Sequence, residues 1–286
     1  MEKYLQCGRF RLPVAGPGVR PLVMGILNAT PDSFSDGAEH NDLNFLLDRA
    51  DAMIGAGVDI IDIGGESTRP GAKPVALDRE LQRVMPLIYA LQDCGIPLSV
   101  DTCKPEVMRE AQIAGVDMIN DVRGFRAAGA LEAIAQGDAA LCIMHMQEGP
   151  QTMQQKPDYG DVLIEVSDFF AERIGAMQQY QVAKNRLILD VGFGFGKSLI
   201  HNLALLKHQK LFSERFSLPV LAGLSRKSML GSITGKPVEL RLAASIGAAI
   251  TAVAHGAHVV RVHDVTETID ALKIWTEVNQ FGASDD

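Results

Sequence analysis

Apolar residues along the chain gather into short β-branched or aliphatic runs, and each run gives way to polar or Gly residues before an amphipathic stretch begins. The runs are Leu22–Leu27, Val58–Ile63, Ile96–Val100, Val116–Asn120, Ala140–Met144, Leu187–Asp190, Leu218–Ala222 and Ala257–Val262. Between them, helical spacing predicts helices at about Leu43–Gly55, Leu77–Asp93, Pro105–Ala114, Ala130–Gln136, Val162–Gln179, Asn202–Phe212, Glu239–His255 and Val265–Phe281. Gly55/Gly57, Gly95, Gly115, Gly137 and Gly256 stand where helix ends are expected. Continuously apolar strands separated by helices imply a parallel sheet covered on both faces. About eight such units are the count for a closed α/β structure, the (β/α)8 TIM barrel. An open doubly wound sheet is the competitor. Its Gly-rich fingerprint after the first strand is missing, because Gly25-Ile26-Leu27-Asn28 does not fit GxGxxG. The segment around Arg9-Phe10-Arg11-Leu12 reads as an N-terminal hairpin extension over one end of the barrel. No composition break divides the chain, so a single domain is expected over 1–286, with the extension at 1–20 and the barrel from about 21 to 282.

Composition narrows the function classes. At 286 residues, with 47% hydrophobic and 22% charged positions, the chain has material for a large core. A formal charge of −8 argues against a general nucleic-acid surface but leaves room for one local basic pocket. Cys7, Cys94, Cys103 and Cys142 are scattered without CxxC or zinc spacing, which fits reduced thiols and a cytoplasmic location. The first residues lack the apolar core of a signal peptide. No Asp, Glu, Lys or Arg lies between Arg241 and Arg261, yet His255-Gly256-Ala257-His258 interrupts that stretch. A buried helix followed by a buried strand accounts for it better than a membrane span.

A barrel places its chemistry at the C-terminal ends of its strands. The first run leads into Asn28-Ala29-Thr30-Pro31-Asp32-Ser33-Phe34-Ser35-Asp36-Gly37 and the second into Gly64-Gly65-Glu66-Ser67-Thr68-Arg69-Pro70-Gly71. The next three end in Asp101-Thr102, Asn120-Asp121 and Met144-His145-Met146. The last three lead to Asp190 and Gly192-Phe193-Gly194-Phe195-Gly196-Lys197, to Ser225-Arg226-Lys227, and to Arg261-Val262-His263-Asp264. Two chemical groups emerge. Arg69, Lys227, Arg261 and His263 are anion binders, and Asn28 with nearby Asp32 offers hard oxygens suited to a Mg²⁺ ion that keeps waters and a polyphosphate. Asp101, Asn120 and Asp190 offer acceptors for a ring bearing amide and amino groups. A flat heterocycle deep in the barrel and a phosphate nearer the rim satisfy both.

Simpler readings stand beside these. A strand-end Asp or Asn often only caps the next helix, and a lysine in a Ser-Arg-Lys-Ser turn is usually solvated. Alternation puts Arg261 and His263 on one face of a strand, which favours an anion site over a structural histidine. Cys103 reads as a packing residue, and the His255/His258 pair lacks a carboxylate at ligand spacing. Gly192 to Ser198 misses the Walker spacing by one residue, and its phenylalanines suit a planar ring better than a phosphate. Asn28-Ala29-Thr30 matches a glycosylation sequon, without meaning where no secretory signal is present.

Taken together, these tips resemble the dihydropteroate synthase family of pterin-binding enzymes over almost the whole chain. The specific segments are Asn28 to Gly37, Gly64 to Gly71, Gly194-Phe195-Gly196-Lys197, Ser225-Arg226-Lys227-Ser228 and Arg261 to Asp264, in the family's order. One departure is Val191, where many members have Pro. The resemblance implies condensation of 6-hydroxymethyl-7,8-dihydropterin diphosphate with p-aminobenzoate to 7,8-dihydropteroate and diphosphate, with Mg²⁺ assisting. It implies that Asp101, Asn120, Asp190 and Lys227 hold the pterin, with Met144 and Phe195 near its ring. Asn28, Arg69, Arg261 and His263 would take the diphosphate, Asn28 also its metal; Thr68, Arg69 and Ser225 would surround p-aminobenzoate. Asp101 and Lys227 are the implied catalytic residues. A homodimer is expected, with Glu239–His255 and Val265–Phe281 as the face to inspect, and sulfonamides are expected to compete with p-aminobenzoate. Pterin-dependent methyl transfer to a corrinoid, or pterin binding without turnover, are the alternatives.

Overall fold

The computed structural model describes residues 3–16, 19–30, 39–68, 71–147 and 157–281. Two antiparallel strands, β1 (Lys3–Cys7) and β2 (Phe10–Ala15), come first and pair only with each other. Eight parallel strands follow: β3 (Leu22–Asn28), β4 (Ile60–Gly64), β5 (Leu98–Asp101), β6 (Met118–Asp121), β7 (Ala140–Met144), β8 (Leu187–Asp190), β9 (Val220–Ala222) and β10 (Val259–Val262). They close in sequence order, with β10 bonded to both β9 and β3. The doubly wound alternative is thereby excluded. Five strands, β4, β5, β6, β9 and β10, start two residues after the runs that announce them; Val58 and Val116, for example, already lie in the turns and are buried there.

Helices cover the barrel between successive strands: α1 (Glu39–Ala56), α2 (Leu77–Leu91), α3 (Pro105–Ile113), α4 (Ala130–Ala135) and α5 (Val162–Gln179). Then come α6 (Leu199–His208), α7 (Lys210–Phe216), α8 (Ser228–Thr234), α9 (Leu242–Ala254) and α10 (Val265–Gln280). The helix expected over Asn202–Phe212 is in fact two. The break falls at Gln209, fully buried, whose side-chain amide donates to the Ala252 carbonyl at 2.5 Å and so turns toward α9. Glu239–His255 likewise begins as a separate 3₁₀ turn, Val238–Leu240. The short α8 has no counterpart in the periodicity, since Ser, Gly and Thr fill much of it. Among the described residues no helix is long and apolar enough to cross a membrane.

Alternation along each strand divides the core in two. Outward residues such as Val23, Ile61, Val100, Ile119, Leu189 and Val260 pack against the helices. Inward residues at the strand starts, including Leu22, Met24, Ile60, Met118, Ile188 and Val259, form a second cluster with Leu5, Cys7 and Val14 of the hairpin. The hairpin therefore plugs the N-terminal end of the barrel. Two residues further along, the inward positions turn polar, and the other end is left open as a site.

Candidate active site

The inward register carries Asn28 from β3, Asp62 and Gly64 from β4, Asp101 from β5, Asn120 from β6, Met144 from β7, Asp190 from β8 and Arg261 from β10. All of these but Asp62 and Gly64, together with the loops that follow, line one cavity of about 660 Å³. Asn28, Thr68, Asp101, Asn120, Met144, Asp190, Phe195, Ser225, Lys227, Arg261 and His263, all expected at the site, line it. Arg69, Asp32 and the span from Pro31 to Gly37 lie outside the described residues.

Charge is organised around Arg261. Its Nε donates to Asp62 Oδ2 at 2.6 Å and its Nη2 to Asp101 Oδ2 at 2.8 Å. Asp62 Oδ2 also accepts from Asn120 Nδ2 at 3.2 Å, so one carboxylate ties β4, β6 and β10 together. Burial raises the Asp101 carboxyl to about 7; Arg261 opposes the rise, while Asp62, Asp121 and Glu80 add to it. The same two carboxylates hold the Arg261 guanidinium well above its ordinary value despite burial. Its two bonds engage two of five N–H donors. The expected anion-binding arginine thus gains a partner set the sequence did not show.

Across the cavity, Asp190 Oδ1 accepts from Gly192 N–H at 2.7 Å, and burial shifts that carboxyl upward against this bond and Lys227. Lys227 donates to the Phe193 carbonyl at 2.6 Å, and its Nζ lies 4.1 Å from the centre of the Phe195 ring. Burial lowers its ammonium to about 8. Of the two phenylalanines expected to cover a ring, Phe195 lines the cavity, whereas Phe193 is buried in the outer core. Neighbours in sequence part in the same way at Asn120 and Asp121. Asn120 faces the cavity; Asp121 turns outward and accepts from the Arg123 and Phe125 amides at 2.8 and 2.7 Å, an ordinary turn cap.

At the rim, His263 Nδ1 lies 3.0 Å from Ser225 Oγ, which also accepts from the His263 amide at 3.2 Å. Arg226 has a left-handed backbone, φ 56°, and pairs with Asp264 through Nε and Nη2. Glu66, on the loop that carries Thr68, is paired with Lys104, which also holds Glu80. His258, of the HxxH pair, accepts from the Val220 amide through Nδ1 at 3.2 Å, a structural role at the closed end.

Asp62 and the Glu66–Lys104–Glu80 group were not singled out from sequence. For Asp62 a signal existed, a carboxylate between Ile61 and Ile63 inside the apolar run Val58–Ile63. Metal chemistry can be tested against Asn28. Among the described residues no group of three or more His, Cys, Asp or Glu gathers as a metal site. Gly64 pairs with Asn28 and keeps the space beside it open, since a Cβ there would stand 3.4 Å from Asn28 Oδ1 and 3.7 Å from Asp101 Cβ. One amide oxygen beside open space fits Mg²⁺ that draws its other ligands from water and diphosphate.

The model of the family described as pterin binding enzyme matches residues 24–263. The dihydropteroate synthase of Escherichia coli (strain K12) is 50% identical over 255 residues, covering 89% of this chain and 90% of that protein. The crystal structure of Burkholderia cenocepacia dihydropteroate synthase complexed with 7,8-dihydropteroate superposes with a TM-score of 0.88 at 49% identity, covering 99% of each chain. Xanthomonas albilineans dihydropteroate synthase with 4-aminobenzoic acid gives 0.90 at 45% identity, over 98% of this chain and 99% of that one.

Proposed function

The chain belongs to the dihydropteroate synthase family of pterin-binding enzymes, and on that premise we propose how its barrel mouth divides the work. The reaction joins 6-hydroxymethyl-7,8-dihydropterin diphosphate to p-aminobenzoate, giving 7,8-dihydropteroate and diphosphate. The observation that carries the division is one cavity whose lining joins Asp101, Asn120 and Asp190 from the strands with the cations Lys227 and Arg261 and with His263. Asp101, Asn120 and Asp190 meet the donors and acceptors of the pterin edge. Phe195 and Met144 cover its ring, and Lys227, fixed over Phe195, reaches the ring's polar atoms. His263, Arg69 and the remaining N–H groups of Arg261 take the diphosphate. Thr68, Arg69 and Ser225 surround the p-aminobenzoate.

As the exocyclic C–O bond breaks, its electron pair leaves with the diphosphate and positive charge spreads into the electron-rich dihydropterin. Asp101 stabilises that charge at close range in a desolvated site, while Arg261 keeps its carboxylate oriented. The aniline lone pair then forms the C–N bond, and the nitrogen sheds one proton to solvent. Asn28 is the residue that would hold Mg²⁺, which supplies charge neutralisation of the diphosphate. Thr30 and Thr68 line the cavity, which supports the reading that the loops they begin exclude water when substrate is present.

The hairpin at 1–20 and the barrel from about 21 to 282 act as one pterin-binding unit, supported by Leu5, Cys7 and Val14 filling the barrel floor. Four unpaired thiols support a cytoplasmic location. Exposed Leu240 in the 3₁₀ turn and Leu242 at the start of α9, with Ile274 and Val278 on α10, support a homodimer through these elements.

Diphosphate release by the purified chain tests the assignment. Release is expected only with dihydropterin diphosphate, p-aminobenzoate and Mg²⁺ together, and chelation of the metal is expected to abolish it. Pterin binding without amine-dependent release would overturn it. For the dissociative step, positional isotope exchange within the diphosphate is expected with amine absent; a lack of both exchange and trapping of the cation by another nucleophile would count against it.

A further inference from the structure

The loop Val191–Lys197 alternates glycines in left-handed conformations, with φ of 68°, 79° and 61° at Gly192, Gly194 and Gly196. Such a segment has much conformational freedom to lose, and its fixed shape needs a cause. Gly192 passes so close to β7 that a Cβ would lie 2.0 Å from the His145 carbonyl oxygen. In that crossing sits the Lys197 ammonium, almost wholly buried. It donates to the Gly192 and Phe195 carbonyls, both at 3.0 Å, and to the His145 carbonyl at 3.3 Å. It also meets His145 Nδ1 at 2.9 Å. Burial lowers the Lys197 ammonium to about 7; its three N–H groups are shared among these four contacts, and the proton position on the His145 ring follows the protonation of Lys197. Burial, then Lys197 and Arg126, drives the His145 value down to about 2, so the ring is neutral.

Lys197 is not part of the cavity lining; it holds a residue that is. The carbonyl it engages at Phe195 belongs to the ring lining the site, and His145 directly follows the cavity residue Met144. Lys227 fastens the same loop from the other side at Phe193. We propose that Lys197 is a positioning residue, whose ammonium, clamped between His145 and the loop carbonyls, sets the shape of the pterin subsite and leaves the p-aminobenzoate subsite alone. This rests on the reading that pterin lies against Asp190, Phe195 and Lys227.

The test is steady-state kinetics of Lys197→Met and Lys197→Gln, each substrate varied with the other saturating, alongside calorimetric binding of dihydropterin diphosphate without amine. Lys197→Met is expected to raise the pterin KM and Kd about tenfold, and the p-aminobenzoate KM less than about twofold. Lys197→Gln keeps two N–H donors and is expected to raise the pterin constants about threefold. It decides the matter if the Met variant does not fold. A purely structural role would lower the fraction of active enzyme, and so the apparent kcat, without moving either KM. That result, or equal rises in both KM values, would overturn the proposal. Wild-type chain that neither binds nor turns over the pterin diphosphate would overturn the site reading, and this proposal with it.

Discussion

The two ends of the barrel are built by the same strands and obey opposite rules. At the closed end, inward Leu22, Met24, Ile60, Met118 and Val259 meet Leu5, Cys7 and Val14 of the hairpin, and the contact is apolar. At the open end the inward positions hold buried Asp62, Asp101, Asn120 and Asp190 with half-buried Arg261, and hydrogen bonds join Arg261 to Asp62 and Asp101 and Asn120 to Asp62. Burying an apolar side chain stabilises the fold; burying a charge costs free energy unless it is paired. The floor therefore stabilises the barrel while the mouth draws on that stability, keeping polar groups desolvated where a substrate will meet them.

The strongest challenge to this division is Arg261→Ala. Removing the guanidinium leaves Asp62 and Asp101 without their partner in the interior, so stability should fall by about 3–5 kcal/mol together with activity. Chemical denaturation beside turnover checks it; lost turnover at unchanged stability would confine Arg261 to the chemistry. Lys227→Ala should behave differently. Burial already depresses this ammonium to about 8, so its loss should cost less than about 1 kcal/mol of stability. The same change should lower kcat/KM by roughly 10²–10³-fold. Next, Leu5→Ala at the floor should cost about 3 kcal/mol in denaturant unfolding and leave both KM values in place. A change in either KM would show that the ends communicate.

Another effect concerns acid. Burial, with Lys3 adding, lowers His258 from an ordinary 6.5 to about 4. The unfolded chain then binds the extra proton first. Stability is fully present above pH 6.5 and is lost as pH falls toward 4, by at most about 1.4 kcal/mol per unit. His258→Asn keeps an acceptor for the Val220 amide and should flatten that slope, read as unfolding midpoint against pH with substrate affinities unchanged.

The barrel was legible because its strands are continuous apolar runs and its helices keep their period; Ala140–Met144, Leu187–Asp190 and Val162–Gln179 match residue for residue. The cavity-lining residues were legible because a parallel barrel must expose its strand ends, so polar tips after apolar runs mark one surface. Hidden from that logic were groups whose meaning lies in partners far along the chain. Asp62 meets Arg261 199 positions away, and Lys197 meets His145 52 positions away. The split between α6 and α7 at Gln209 depends likewise on the Ala252 carbonyl, which no local periodicity announces.

Sequence alone determined the order of strands and helices, the end of the barrel where chemistry collects, and the residue types there, since each follows from local alternation and spacing. Tertiary structure alone decided which of those groups are paired, buried or shifted in charge. Closing the barrel sets the distances between residues on different strands, and pairing energies depend on those distances and on how little water remains between them.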